Sequence, residues 1–227
     1  MCNKGINERD DIAGVVLAGG CNTRFPIQKG FIKVDGASII DRDIAILRSI
    51  FRKVMISTNM PEAFFCLGIP LIGDVLPSRG PMSGIYTALI NSGGSSVFVA
   101  ACDMPFINSS IISLLCDKHI GHDKDCYEAT VPVFNGKPQP LLAIYDYTVL
   151  PALEREILTG RTALRPFLNE IRTCYIDDND VRAVDPEGRS FININTVDDF
   201  ETVRDSQGSA LDYGMQSRQF DIREGAC

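Results

Sequence analysis

An α/β fold with a mostly parallel, mixed sheet is predicted by two features of this 227-residue sequence. Strand-like and helix-like stretches alternate from the start, the pattern of crossover units around a parallel sheet. Later, the dipeptide Asn135-Gly136 separates two strand-like runs, a strong hairpin signal that adds an antiparallel element. With 45% hydrophobic and 22% charged residues the chain can bury a substantial core, and its length fits one domain.

Residues 12–17 (IAGVVL) read as a buried first strand, followed by a loop over 18–28. Ile39, Ile40, Ile44, Leu47 and Ile50 recur at helical spacing behind Ser38, a fitting N-cap, and Asp41 completes an acidic variant of the capping box. A second strand covers 53–57. Leu71-Ile72 is a short apolar pair, 73–81 a turn-rich loop, and 83–91 a helix stopped by Gly93-Gly94. Residues 97–101 form the central strand and 109–118 an amphipathic helix. Strands at 129–134 and 141–145 flank the Asn135-Gly136 turn, helices follow at 149–158 and 163–170, and a last short strand at 191–194 leads into a helix at 197–204. The expected organisation is a polar segment over 1–11, one domain over 12–204, and a polar, weakly periodic tail over 205–227 that is flexible or loosely docked. No internal repeat is visible.

Composition excludes several classes of function. A net charge of −7 and a pI near 4.9 speak against a nucleic-acid partner, which needs a broad excess of Lys and Arg. No apolar run approaches the roughly 20 residues that cross a bilayer, and residues 1–11 lack the apolar core of a leader, so no membrane contact and a cytoplasmic setting are expected. Eight cysteines without a CxxC pair read as reduced and structural. Cys116, His119, His122 and Cys126 could offer zinc ligands, but the stretch runs off a helix into a charged turn, and the structural reading is preferred. There is no GxSxG elbow, and both histidines lie in one short stretch, so no Ser-His-Asp hydrolase is indicated.

Three segments carry chemistry. Leu17-Ala18-Gly19-Gly20 directly follows the first strand, with Arg24 and Lys29 close behind. Paired glycines let backbone N–H groups approach an anion, and two cations in an acidic chain point to a triphosphate and its departing pyrophosphate. Neither GxxxxGK[ST] nor GxGxxG is satisfied, so a P-loop and a dinucleotide fingerprint are excluded. In Ala101-Cys102-Asp103-Met104-Pro105, a carboxylate stands at the carboxyl end of the central strand, where open α/β sheets bind ligands. Asp103 is a hard oxygen ligand suited to Mg²⁺, which usually takes one or two carboxylates plus phosphates. The Gly- and Pro-rich loop 73–84 can bring Asp74 to a base or ribose.

Six segments in this order resemble the molybdenum cofactor guanylyltransferases, nucleotidyltransferases that attach GMP to molybdopterin. They are Leu17-Ala18-Gly19-Gly20 with Arg24 and Lys29, Ile56-Ser57-Thr58-Asn59, Gly80-Pro81-Met82-Ser83-Gly84, Cys102-Asp103-Met104-Pro105, Gln139-Pro140-Leu141, and Asn193-Ile194-Asn195-Thr196. The resemblance runs from about residue 12 to 203 and implies a Rossmann-like three-layer α/β/α nucleotidyltransferase fold. It implies that Leu17, Ala18, Gly19, Gly20, Gly84 and Lys29 hold GTP, that Asn59 and Asp74 address its guanosine, and that Asp103 binds nucleotide and Mg²⁺. Arg24, Lys29 and Asp103 are then the catalytic set. Gln139, Asn193 and Asn195 line the acceptor side, for molybdopterin, and transient contact with cofactor-synthesis proteins or the molybdoenzyme is implied.

Gly19-Gly20 after Ala18 resembles the guanine-selecting form. Three other readings stay open: a related transferase using CTP, one using a sugar or polyol phosphate acceptor, and a nucleotide-binding regulator without catalysis. One departure stands. Where the family shows Arg-Met-Gly, this chain has Arg24-Phe25-Pro26, and proline removes a donor and fixes φ, so a shifted loop is expected.

Overall fold

The structure, a computed structural model, describes residues 8–19, 29–76, 80–121, 127–194 and 199, and the backbone of 211–212. In chain order the elements are β1 (Ile12–Leu17), β2 (Lys33–Val34), β3 (Ala37–Ser38), α1 (Ile39–Ile50), β4 (Val54–Ser57), α2 (Pro61–Phe64), β5 (Leu71–Ile72), α3 (Pro81–Ser92) and β6 (Ser96–Ala101). There follow α4 (Ser109–Ile120), β7 (Ala129–Phe134), β8 (Lys137–Pro138), β9 (Leu142–Asp146), α5 (Leu150–Thr159), α6 (Leu164–Leu168), β10 (Thr173–Ile176), α7 (Asp178–Val184) and β11 (Leu211–Asp212).

The main sheet has the order β10-β7-β9-β6-β1-β4-β5, with β8 paired to β7. β1 lies parallel to both β4 and β6, and β9 runs antiparallel between β6 and β7. The mixed sheet expected from the sequence is therefore present. Alternate strand residues feed opposite faces. Ile12 and Val16 join one core with Ile40, Ile44 and Leu47 of α1 and Ile111, Ile112 and Leu115 of α4. Ala13, Val15 and Leu17 join the other with Met82, Ile85 and Leu89 of α3 and Leu153 and Ile157 of α5. Helices thus cover both faces, a three-layer α/β/α structure.

Local chemistry sets the boundaries. Ser38 Oγ accepts the Asp41 N–H at 3.2 Å and donates to its carboxylate at 2.6 Å, the capping arrangement expected for α1. Gly93 ends α3 with φ +66°, and Asn135-Gly136 turns with φ +51° and +70°. That turn joins β7 to β8, and β9 then pairs with β7 farther along, so two antiparallel partners follow where one hairpin was expected.

Several elements depart from expectation. Residues 191–194 are not a strand: a 3-10 turn spans Arg189–Phe191, and Ile194 then gives a single N–H to Asp103 O at 2.9 Å, with no strand edge to run along. The β2–β3 hairpin turns at Asp35-Gly36, with φ +52° and +84°, and its Val34 packs with Ile32, Ile39, Phe106 and Ile194 in a small separate core. β10 and α7 add an edge strand, parallel to β7, and a helix capped by Asp177. The expected helix at 197–204 lies outside the described residues apart from Asp199, and so does the tail beyond the backbone pairing of β11 with β2. Among the described residues no helix is long and apolar enough to cross a membrane.

Candidate active site

The chain passes from β1 to β4 and β5 on one side and then returns to β6 on the other, so the sheet's switch point lies between β1 and β6. Ligands of open α/β sheets bind outside the carboxyl ends of the strands at such a point. The main chain laces these ends together. Leu17 O accepts the Cys102 N–H at 3.1 Å, the Ala18 N–H donates to Ser57 O at 2.8 Å, and the Ala101 N–H donates to Leu141 O at 3.0 Å. Gly19, Asn59, Asp103 and the turn of Gln139 are thereby brought to one edge.

With the Ala18 N–H committed to Ser57, the Gly19 N–H is what remains of this strand end to meet an anion. Gly19 is exposed, and among the described residues a Cβ there would meet no atom within 4 Å. The space beside this backbone leaves room for a ligand to approach closely. Gly84 is different: its Cβ would come within 2.9 Å of Ser57 Oγ and 3.1 Å of Leu17 Cδ2. The absent side chain lets the first turn of α3 pack against the ends of β1 and β4. Gly80, with φ +69° and ψ −154°, swings the chain into that turn, and Pro81 opens it.

Lys29, in a 3-10 turn over Lys29–Phe31, places Nζ 3.2 Å from Asp103 Oδ2. Gly30 packs behind it, where a Cβ would lie 3.7 Å from that of Cys102. Asn59, after β4, and Asp74, after β5, form a reciprocal pair: Asn59 Nδ2 donates to Asp74 Oδ2 at 2.8 Å, and the Asp74 N–H donates to Asn59 Oδ1 at 2.9 Å. The next residue, Val75, is pinned by its N–H to Thr87 Oγ1 at 3.1 Å. On the other flank, Gln139 gives its N–H to Pro132 O at 2.9 Å and its amide to Lys137 O at 3.2 Å. Asn193 is exposed beside the Ile194–Asp103 bond. Gly20, Arg24 and Asn195, with the Phe25-Pro26 departure, lie outside the described residues.

Among the described residues no three His, Cys, Asp or Glu side chains gather as a metal cage. A lone, partly exposed carboxylate at Asp103 suits Mg²⁺ arriving with phosphate oxygens, and does not suit a metal held by protein alone. Of the four zinc candidates, His122 and Cys126 lie outside the described residues. Cys116 is fully buried with its thiol pushed up to about 12, mainly by that burial, and both ring nitrogens of His119 are engaged, by Ser96 and Thr130 hydroxyls at 3.0 Å. Burial, then the charges of Asp103 and Asp43, likewise push the Cys102 thiol up to about 12, which disfavours the thiolate.

Sequence reasoning missed one group near the site. Asp43 of α1 is 2% exposed, and its Oδ2 has no hydrogen-bond partner among the described residues. Burial raises its carboxyl well above the usual range; Arg42 offsets part of this and the charge of Asp103 adds to it. Its position on the inward stripe of Ile39, Ile40, Ile44 and Leu47 was the available signal.

A three-layer α/β/α fold whose switch point gathers an exposed glycine, a lysine–carboxylate pair and an Asn–Asp pair is that of a nucleotidyltransferase. Over residues 14–174 the chain matches the MobA-like NTP transferase domain, and it belongs to that family. It is 33% identical over 193 residues to the molybdenum cofactor guanylyltransferase of Desulfosudis oleivorans, covering 85% of this chain and 94% of that protein. The crystal structure of molybdopterin-guanine dinucleotide biosynthesis protein A from Archaeoglobus fulgidus is similar, with a TM-score of 0.73, 26% identity, and coverage of 86% of this chain and 97% of that one. A cytidylyltransferase from Leptospira borgpetersenii shares the fold at a TM-score of 0.64 and 16% identity, covering 86% and 85% of the two chains.

Proposed function

We propose that this protein transfers GMP from Mg-GTP to the terminal phosphate of molybdopterin, forming molybdopterin guanine dinucleotide and pyrophosphate. The names of the relatives supply the substrates. The observation that carries the chemistry is the Lys29–Asp103 pair at the crevice beyond β1 and β6.

An oxygen of the acceptor phosphate attacks the α-phosphorus of GTP in line. The bond from that phosphorus to the bridging oxygen breaks, and pyrophosphate leaves with the electron pair. A phosphate monoester is already anionic at neutral pH, so no general base is needed. Catalysis is then positioning and charge neutralisation. Mg²⁺, when bound on Asp103, neutralises phosphate charge. Lys29 holds the phosphates by its ammonium, Arg24 is assigned to the same charge, and the Gly19 N–H serves as a donor to them. Asn59 and Asp74 fix the guanosine, and Gln139, Asn193 and Asn195 orient the acceptor.

Incubation with molybdopterin, Mg²⁺ and GTP or CTP in turn, followed by identification of the dinucleotide, tests the reading. The guanine dinucleotide is expected. The cytosine product would make the protein the CTP-using relative, and tight GTP binding without any product would make it a regulator.

A further inference from the structure

We propose that Tyr145 is a positioning residue for the acceptor, its phenol fixing the turn that carries Gln139. This rests on the reading of Gln139 as an acceptor contact. Tyr145 is fully buried in β9, and its hydroxyl donates to Pro140 O at 2.8 Å. Tyr145 and Ala143 face the core beneath α3 and α5, while Leu142 and Ile144 face the other. The Tyr145 hydroxyl thus reaches back to a carbonyl five residues earlier in the chain.

The rest of the turn is held by main chain. The Gln139 N–H bonds to Pro132 O at 2.9 Å, Gln139 O accepts the Leu142 N–H at 3.2 Å, and Leu141 O accepts the N–H of Ala101, two residues before Asp103, at 3.0 Å. Pro140 has no N–H, so its carbonyl is the apex's main-chain handle, and Tyr145 holds it. The phenol is a strut from the sheet interior to the acceptor side of the strand bearing the metal ligand. Burial, with a smaller contribution from Tyr175, raises its pKa, so it stays a donor throughout the working pH range.

The test is steady-state kinetics of the full-length protein and of Tyr145→Phe, Gln139→Ala and the double variant, with hydrogen exchange followed at residues 139–142. Tyr145→Phe is expected to raise KM for molybdopterin about three- to tenfold, to leave KM for GTP unchanged, and to speed exchange at Leu142. In the Gln139→Ala background it should add nothing to the molybdopterin KM. Three results overturn the proposal: an unchanged KM in Tyr145→Phe although Gln139→Ala raises it, full additivity in the double variant, or exchange at the turn equal to the parent's. If Gln139→Ala itself leaves the molybdopterin KM unchanged, the acceptor reading of Gln139 fails, and the proposal fails with it.

Discussion

Lys29 Nζ lies 3.2 Å from Asp103 Oδ2, a pair 74 residues apart in sequence with the side chains 18% and 20% exposed. The pair is mostly shielded yet reaches the crevice, and in the proposed mechanism Asp103 meets a hard cation and Lys29 phosphate. Asp103→Ala and Lys29→Ala should each lower pyrophosphate release by about 10²- to 10³-fold while costing about 1–3 kcal/mol of stability, too little to unfold the domain. A pyrophosphate-release assay beside urea melts checks both parts; the parent rate in Asp103→Ala would refute the metal assignment.

Asn59→Ala breaks both hydrogen bonds of the Asn59–Asp74 pair, whereas Asp74→Ala removes the one to its carboxylate and leaves the main-chain N–H at 74 bonded to Asn59 Oδ1. Asn59→Ala and Asp74→Ala should raise KM for GTP about 5- to 30-fold with little change in kcat, as expected for loss of about 1–2 kcal/mol of ground-state binding. The double variant should lose little more than either single one. Kinetics at varied GTP decide, and full additivity would mean that the two residues act separately.

Asp43 makes the stability of the protein pH-dependent. Its folded pKa is raised, so between the ordinary carboxylate pKa and the raised value the native state holds a proton that the unfolded chain has released. Stability from this group is therefore fully present below the unfolded pKa and falls as pH rises toward the folded one. Asp43→Val, which also removes the unpartnered buried Oδ2, should stabilise the protein by about 1–3 kcal/mol at neutral pH and progressively less toward pH 4. Urea melts across that range test this; parallel pH profiles of parent and variant would contradict it.

Gly84→Ala should cost about 1–3 kcal/mol, because the new methyl meets Ser57 Oγ at 2.9 Å and Leu17 Cδ2 at 3.1 Å. Adding Ser57→Ala removes the nearer atom and should recover part of the loss. Equal stability of Gly84→Ala and the parent would show that α3 has slack against the strand ends.

What was legible in the sequence was locally encoded chemistry. The Ser38 cap, the Gly93 stop, the Asn135-Gly136 turn and the apolar first and central strands each announce themselves within a few residues. Two-residue strands are too short for periodicity, so the β2–β3 hairpin could be found only through Asp35-Gly36, and β10, an edge strand with Tyr175 42% exposed, lacks a buried strand's apolar run. Phe191, Ile192 and Ile194 look strand-like, but their segment packs and bonds to the turn after β6, a tertiary fact. The same divide runs through the site. Gly19, Lys29, Asn59, Asp74 and Asp103 stand in motifs, whereas the pairing of Lys29 with Asp103 depends on which strand ends the sheet brings together, and the reach of Tyr145 to Pro140 on the shape of the turn before β9.

The most direct measurement is a crystal structure with Mg²⁺ and a non-hydrolysable GTP analogue. The α-phosphate should lie between the Gly19 N–H and Lys29, with the ion on Asp103 and the guanosine against Asn59 and Asp74. An analogue bound away from the β1–β6 crevice, or an ion with no contact to Asp103, would contradict the account.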